Sequence, residues 1–154
     1  MVDLAYRRIM IATDGSDEAA AAADHGIAIA RAFNARVLVV AVLDIGAFTS
    51  VQTGMYAAEF LDEERAFLQK SVDAIVQRTR AAGITEVTGE VIDGVPRSVL
   101  ITIAQQRSVD LIVAGSHGRG LVERLLVGST TEHLVRHAPC PVLVVRPPRT
   151  RGNT

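Results

Sequence analysis

Ile9-Met10-Ile11-Ala12-Thr13-Asp14-Gly15-Ser16 is the stretch that decides how this chain folds. Four apolar residues in a row read as a short buried strand, and Thr-Asp-Gly-Ser reads as the turn that ends it. Asp17 and Glu18 follow, where a helix N-terminus favours negative charge, and the alanine-rich segment 17–33 continues as a helix. Its small side chains suit close packing on a sheet, although Gly26 weakens it. The next apolar run, 37–43, is β-branched and almost wholly apolar, as expected of a strand covered on both faces.

Working outward, the alternation continues. Segment 44–54 has no clear period and reads as a mobile surface loop. Segment 56–82 is helical: Leu61, Leu68, Val72, Ile75 and Val76 share one face, while Asp62, Glu63, Arg65 and Lys70 lie largely elsewhere. Gly83 ends that helix. Segment 86–92 alternates weakly and predicts a strand near the sheet edge. Pro96 opens the next helix, with Val99, Leu100, Ile103 and Ala104 facing inward. A buried strand is expected at 111–114, a short helix at 129–137 and a last strand at 142–145, stopped by Pro147 and Pro148. Strands alternating with helices imply a mostly parallel sheet covered on both faces, with right-handed crossovers. Residues 1–148 are expected to form one domain, with 149–154 a disordered tail. In such sheets ligands bind beyond the C-terminal ends of the strands, where strand order reverses.

Composition narrows the function. The chain has 154 residues, 49% of them hydrophobic, and a formal charge of -1. That is enough for one core, and it gives no reason to expect nucleic acid as a partner. Lys70 is the only lysine and Cys140 the only cysteine, so an internal disulfide is excluded and a reducing compartment fits. The N-terminus lacks a signal-peptide layout and run 37–43 is too short to cross a bilayer. The expectation is a cytoplasmic protein without membrane contact.

Chemistry concentrates in Gly115-Ser116-His117-Gly118-Arg119-Gly120, directly after the fourth strand, and in Gly128-Ser129-Thr130-Thr131, which opens a helix. Glycines permit positive φ and close approach of backbone to a ligand. A helix N-terminus offers free N–H groups and partial positive charge to phosphate. Ser129-Thr130-Thr131-Glu132 also reads as a capping box, with Ser129 as N-cap and Glu132 reaching back.

The spacing Gly115-x2-Gly118-x9-Gly128-Ser129 resembles the nucleotide-binding pattern of the ATP-binding universal stress proteins. Ile9 to Ser16 is similar to that family's first strand and turn. Val109-Asp110-Leu111-Ile112-Val113 resembles the lead-in to its glycine loop, and Pro139-Cys140-Pro141-Val142-Leu143-Val144-Val145 its closing strand. The resemblance implies a Rossmann-like, doubly wound, five-stranded parallel sheet of order 3-2-1-4-5. It implies ATP, with Mg or Mn, as the ligand, and a homodimer through the last strand, 142–145. By position, Ala12, Thr13 and Asp14 would lie near the nucleoside, with Asp14 a partner for ribose or adenine, and Val42 would contact the base. Ala114, Gly115, Ser116, His117 and Gly118 would follow ribose and phosphates, and Gly128, Ser129 and Thr130 would hold the phosphate tail. Ala12 departs from family members that carry proline there. Arg119 and Arg124 add charge that phosphate could use, although loop arginines are often simply solvated.

Other residues carry less. His133 and His137 stand i, i+4 without a third ligand motif and read as surface histidines. His117 could reach a phosphate or project into solvent. Cys140, between prolines, reads as a buried inert thiol. Asp14 and Asp44 end adjacent strands, where turn-forming aspartates are common. No Gly-Lys-Ser/Thr occurs and no base for an attacking water is evident, so slow ATP hydrolysis is the most the sequence would support. A phospho-acceptor domain would need a lysine near the last strands, and none is there. The leading expectation is an ATP-binding regulatory or stress-response protein, with a slow hydrolase or a ligand-free dimeric scaffold as alternatives.

Overall fold

The computed structural model describes residues 4–49, 55–119 and 127–148, apart from the side chains of 48, 49, 55 and 56. Five strands, β1 (Arg8–Ala12), β2 (Arg36–Asp44), β3 (Val87–Gly94), β4 (Leu111–Gly115) and β5 (Val142–Val145), form one parallel sheet of order β3-β2-β1-β4-β5. The helices are α1 (Asp17–Phe33), α2 (Ile45–Thr49), α3 (Met55–Ala81), α4 (Pro96–Gln106) and α5 (Ser129–His137).

Residue parity along the strands divides the core. Ile9, Ile11, Val37 and Val39 point toward α1 and α3, where Leu68, Val72 and Ile75 close one layer. Met10, Ala12 and Val40 point the other way, toward Leu100, Ile103 and Leu134 of α4 and α5. Burial on both faces is why these strands read as continuous apolar runs.

Local chemistry sets the ends. Ser16 caps α1, its hydroxyl accepting from Ala19 N–H at 3.1 Å, and Asp17 and Glu18 occupy the first turn. Gly26 lowers helix propensity, yet a β-carbon there would lie 2.9 Å from two side-chain carbons of Ile11, so the glycine lets α1 settle on β1. Gly83, at φ 92, ends the α3 region as expected.

The reading of 44–54 as a loop needs correction. Residues Ile45–Thr49 form α2, with Asp44 Oδ1 accepting from Ala47 N–H at 3.3 Å, while 50–54 lie outside the described residues. Five residues are too few to show a helical period. The tail expected at 149–154 also lies outside the described residues. Among those described, no helix is long and apolar enough to cross a membrane.

Candidate nucleotide-binding site

The chain leaves β1 toward β2 on one side and leaves β4 toward β5 on the other, so a crevice opens where β1 and β4 end. Thr13 prolongs the ladder, its N–H donating to Val40 O at 2.9 Å. The turn after it is held by side chains: Thr13 Oγ1 accepts from Gly15 N–H at 3.1 Å and Asp14 Oδ1 from Ser16 N–H at 2.9 Å. Asp14 Oδ2 accepts from Arg119 N–H at 3.0 Å, which ties the first turn to the glycine loop. Gly15 has φ 82, and a β-carbon there would strike the Phe67 ring of α3. Here glycine is required twice over, by backbone conformation and by space.

After β4, Ser116 N–H donates to Val145 O at 3.0 Å and Ser116 O accepts from Gly128 N–H at 2.7 Å. Thr131 Oγ1 donates to Gly115 O at 2.9 Å, bolting the first turn of α5 to the strand end. Gly115, Gly118 and Gly128 do not adopt the positive φ for which glycines are often kept, since Gly15, Gly83 and Gly94 are the described glycines that do. Space constrains one of them. Gly118 is the tightest case, because a β-carbon would collide with the Asp14 carboxylate, whereas at Gly115 and Gly128 the nearest atoms stand at 3.4 Å.

The capping-box reading is also corrected. Gly128 is the N-cap of α5, with no side-chain hydrogen bond, and Ser129 is the first helical residue. Glu132 pairs instead with Arg136 at 2.9 Å, one turn along. The helix therefore begins without a side-chain cap among the described residues.

A cleft of about 180 Å³ lies between these elements. Ala12, Thr13, Asp14 and Val42 line one side, Ala114, Gly115, His117 and Gly118 another, and Gly128, Ser129 and Thr130 the α5 end. A neighbouring hollow of about 580 Å³ shares Asp14, Val42 and Gly118 and continues to Asp44, Ala47 and Glu64. His117 is buried, with Nδ1 2.9 Å from Ser116 Oγ and Nε2 3.9 Å from Glu18 Oε1, so it does not project into solvent.

Two expected residues are placed differently. The Ser116 hydroxyl is buried against His117 rather than lining the cleft. The Arg119 guanidinium pairs with Glu64 and lies 4.7 Å from the Phe67 ring centroid, on α3. Arg124 lies outside the described residues. Sequence reading missed Ala19, Val40, Pro96, Leu100 and Leu134, which with Thr131 of the Gly128 segment complete the walls. Pro96 alone had a usable signal, since it opens the helix directly after β3.

Among the described residues, the titratable groups outside the cleft do not assemble into a metal centre. His133 and His137 have ring centroids 4.4 Å apart, and burial, then the neighbouring His137 and Arg97, hold the His133 imidazole below its ordinary value. Among the described residues no group of three His, Cys, Asp or Glu side chains is placed to hold a metal ion.

Fold and cleft together define a Rossmann-like α/β protein with its crevice at the strand switch point. The chain belongs to the universal stress protein family, whose profile matches residues 5–146. A Staphylococcus haemolyticus protein named for that family is 36% identical over 144 residues, 93% of this chain and 86% of the relative. The structure of the universal stress protein UspA from Lactobacillus plantarum superposes with a TM-score of 0.83 at 29% identity, covering 94% of this chain and all of the other. A universal stress protein in complex with cAMP superposes with a TM-score of 0.70 at 26% identity, covering 93% of this chain and 98% of that one.

Proposed function

We propose that this chain binds ATP in the cleft between β1, β4 and α5 and acts as a nucleotide-responsive member of its family. The observation that carries this is the start of α5: a helix N-terminus with no side-chain cap among the described residues, beginning at Gly128 and lining the cleft beside Gly118. Such an end presents N–H groups and partial positive charge to a phosphate. The cAMP complex of a structural neighbour supports an adenine nucleotide in this fold.

In this reading Val42 and Ala12 flank the base, and Asp14, fixed by two backbone N–H groups, meets the ribose or adenine. Gly115 and Gly118 admit the ribose and first phosphates, and Gly128, Ser129 and Thr130 take the tail. A divalent cation, Mg or Mn, would ride on the phosphates and keep most of its water. Rapid hydrolysis is not part of the proposal, because the sequence has no Gly-Lys-Ser/Thr and its only lysine, Lys70, is exposed on α3. Cytoplasmic location and a homodimer through β5 complete the reading.

Calorimetry of nucleotide-free protein with ATP, AMP and cAMP tests it, alongside mass spectrometry of nucleotide released from freshly purified protein. Saturable ATP binding is expected. No heat, no melting shift and no released nucleotide would sink the proposal.

A further inference from the structure

Arg119 stands at the cleft mouth but is engaged elsewhere. Its main chain is pinned, since the N–H donates to Asp14 Oδ2 at 3.0 Å. Its guanidinium meets both carboxylate oxygens of Glu64, and its central carbon sits 4.7 Å from the Phe67 ring centroid. Backbone and side chain are thus anchored separately, and the side chain can change partner without moving the glycine loop.

The alternative partner is close. A β-carbon on Gly128 would lie 3.9 Å from Gly118 N, and Arg119 follows Gly118 by one Cα step of about 3.8 Å. A phosphate tail seated at Gly128 to Thr130 therefore comes within reach of a long side chain rooted at Arg119. The present pairing is of the kind that can be outcompeted. Glu64 is 20% exposed and Arg119 46%, and half-exposed ion pairs are weak. A polyphosphate offers more charge and the bidentate geometry that guanidinium prefers.

We infer that Arg119 is a movable counter-charge and that Glu64, by competing for it, sets how strongly the cleft prefers long phosphate tails over AMP. The inference rests on the proposed placement of phosphates at α5. A monophosphate brings too little charge to draw Arg119 away from Glu64 and Phe67, whereas a triphosphate brings enough. Glu64 acts as a positioning residue, through its ion pair with the arginine.

The test is calorimetry with ATP and with AMP, at low and high salt, on wild type, Glu64→Gln, Arg119→Gln and the double variant. Both positions lie on the surface, and melting of each variant without nucleotide verifies its fold. Glu64→Gln is expected to tighten ATP about two- to fivefold, on the scale of a weak ion pair, and to leave AMP unchanged. Arg119→Gln weakens ATP by a similar factor, and the double variant matches Arg119→Gln. The ATP-to-AMP ratio shrinks with salt in wild type and less so without Arg119. An unchanged ratio in Glu64→Gln, or additive effects in the double variant, overturns the inference while the proposed function stands. Wild type that binds neither nucleotide overturns both.

Discussion

The carboxylate of Asp14 fills the space that a β-carbon on Gly118 would need. The same carboxylate accepts from Ser16 N–H and Arg119 N–H, so the turn after β1 and the loop after β4 are cut to fit one another. Gly118→Ala is expected to destabilise the fold by about 1–3 kcal/mol, the usual cost of overpacking. Asp14→Ala should be costly alone, through two lost charge-assisted bonds, and should relieve the alanine. In urea unfolding the double variant should cost less than the sum of the singles. Additive costs would show that the collision is relaxed elsewhere.

Gly128 gives a cleaner probe of ligand. Its φ of -61 and ψ of 153 suit any residue, and a β-carbon would meet nothing nearer than His117 Cα at 3.4 Å. Gly128 is buried and caps α5, where alanine is less favourable than glycine, so Gly128→Ala should cost about 1 kcal/mol and remain folded. Its ATP affinity should nevertheless fall, and that of Gly128→Val further, while Ser116→Ala, whose hydroxyl faces His117, changes less. Equal affinities across this set would show that the glycine does not serve the ligand.

The proposed homodimer has a backbone test. Pro141 O accepts from Ile112 N–H and Val145 O from Ser116 N–H, so odd-numbered residues of this strand bond to β4 and Val142 and Val144 turn their peptide groups outward. Val144→Pro removes one outward N–H and spares the inner ladder. Sedimentation at micromolar concentration should give a dimer for wild type and a monomer for the variant. Monomeric wild type would refute the edge pairing.

Cys140 supplies a pH prediction. Burial first, and then the Asp110 carboxylate, push its thiol above the ordinary value of 9.0. A raised value keeps the thiol neutral, so the folded protein favours the protonated form as pH rises toward and past 9. Alkylation by iodoacetamide at pH 8 should be slower in the native protein than in urea, and the native rate should climb at higher pH. A native rate matching that of the denatured chain would contradict it.

The central strands were legible because burial on both faces writes them as apolar runs, whereas the edge strand β3 showed only a weak alternation. The segment 142–145 needed nothing more to be found, and Ser129 to His137 announced itself by a glycine and hydroxyls at its start. α2 was not legible, being shorter than two helical turns. Within the cleft, residues that follow strands could be named from topology alone. Leu100 and Leu134 could not, because a wall of the cleft and a core position look alike in sequence. The direction of Arg119 was not legible for a different reason: it is set by Glu64, a partner 55 positions earlier that no local pattern connects to it.

The bond from Thr131 to Gly115 O, with that from Gly128 N–H to Ser116 O, makes the first turn of α5 an extension of the sheet. An anion arriving there finds its donors already aimed. Little chain entropy then remains to be surrendered on capture, and affinity reflects contacts rather than ordering. If the proposed nucleotide binds there, association runs close to the encounter rate, and residence time becomes the quantity that separates one nucleotide from another.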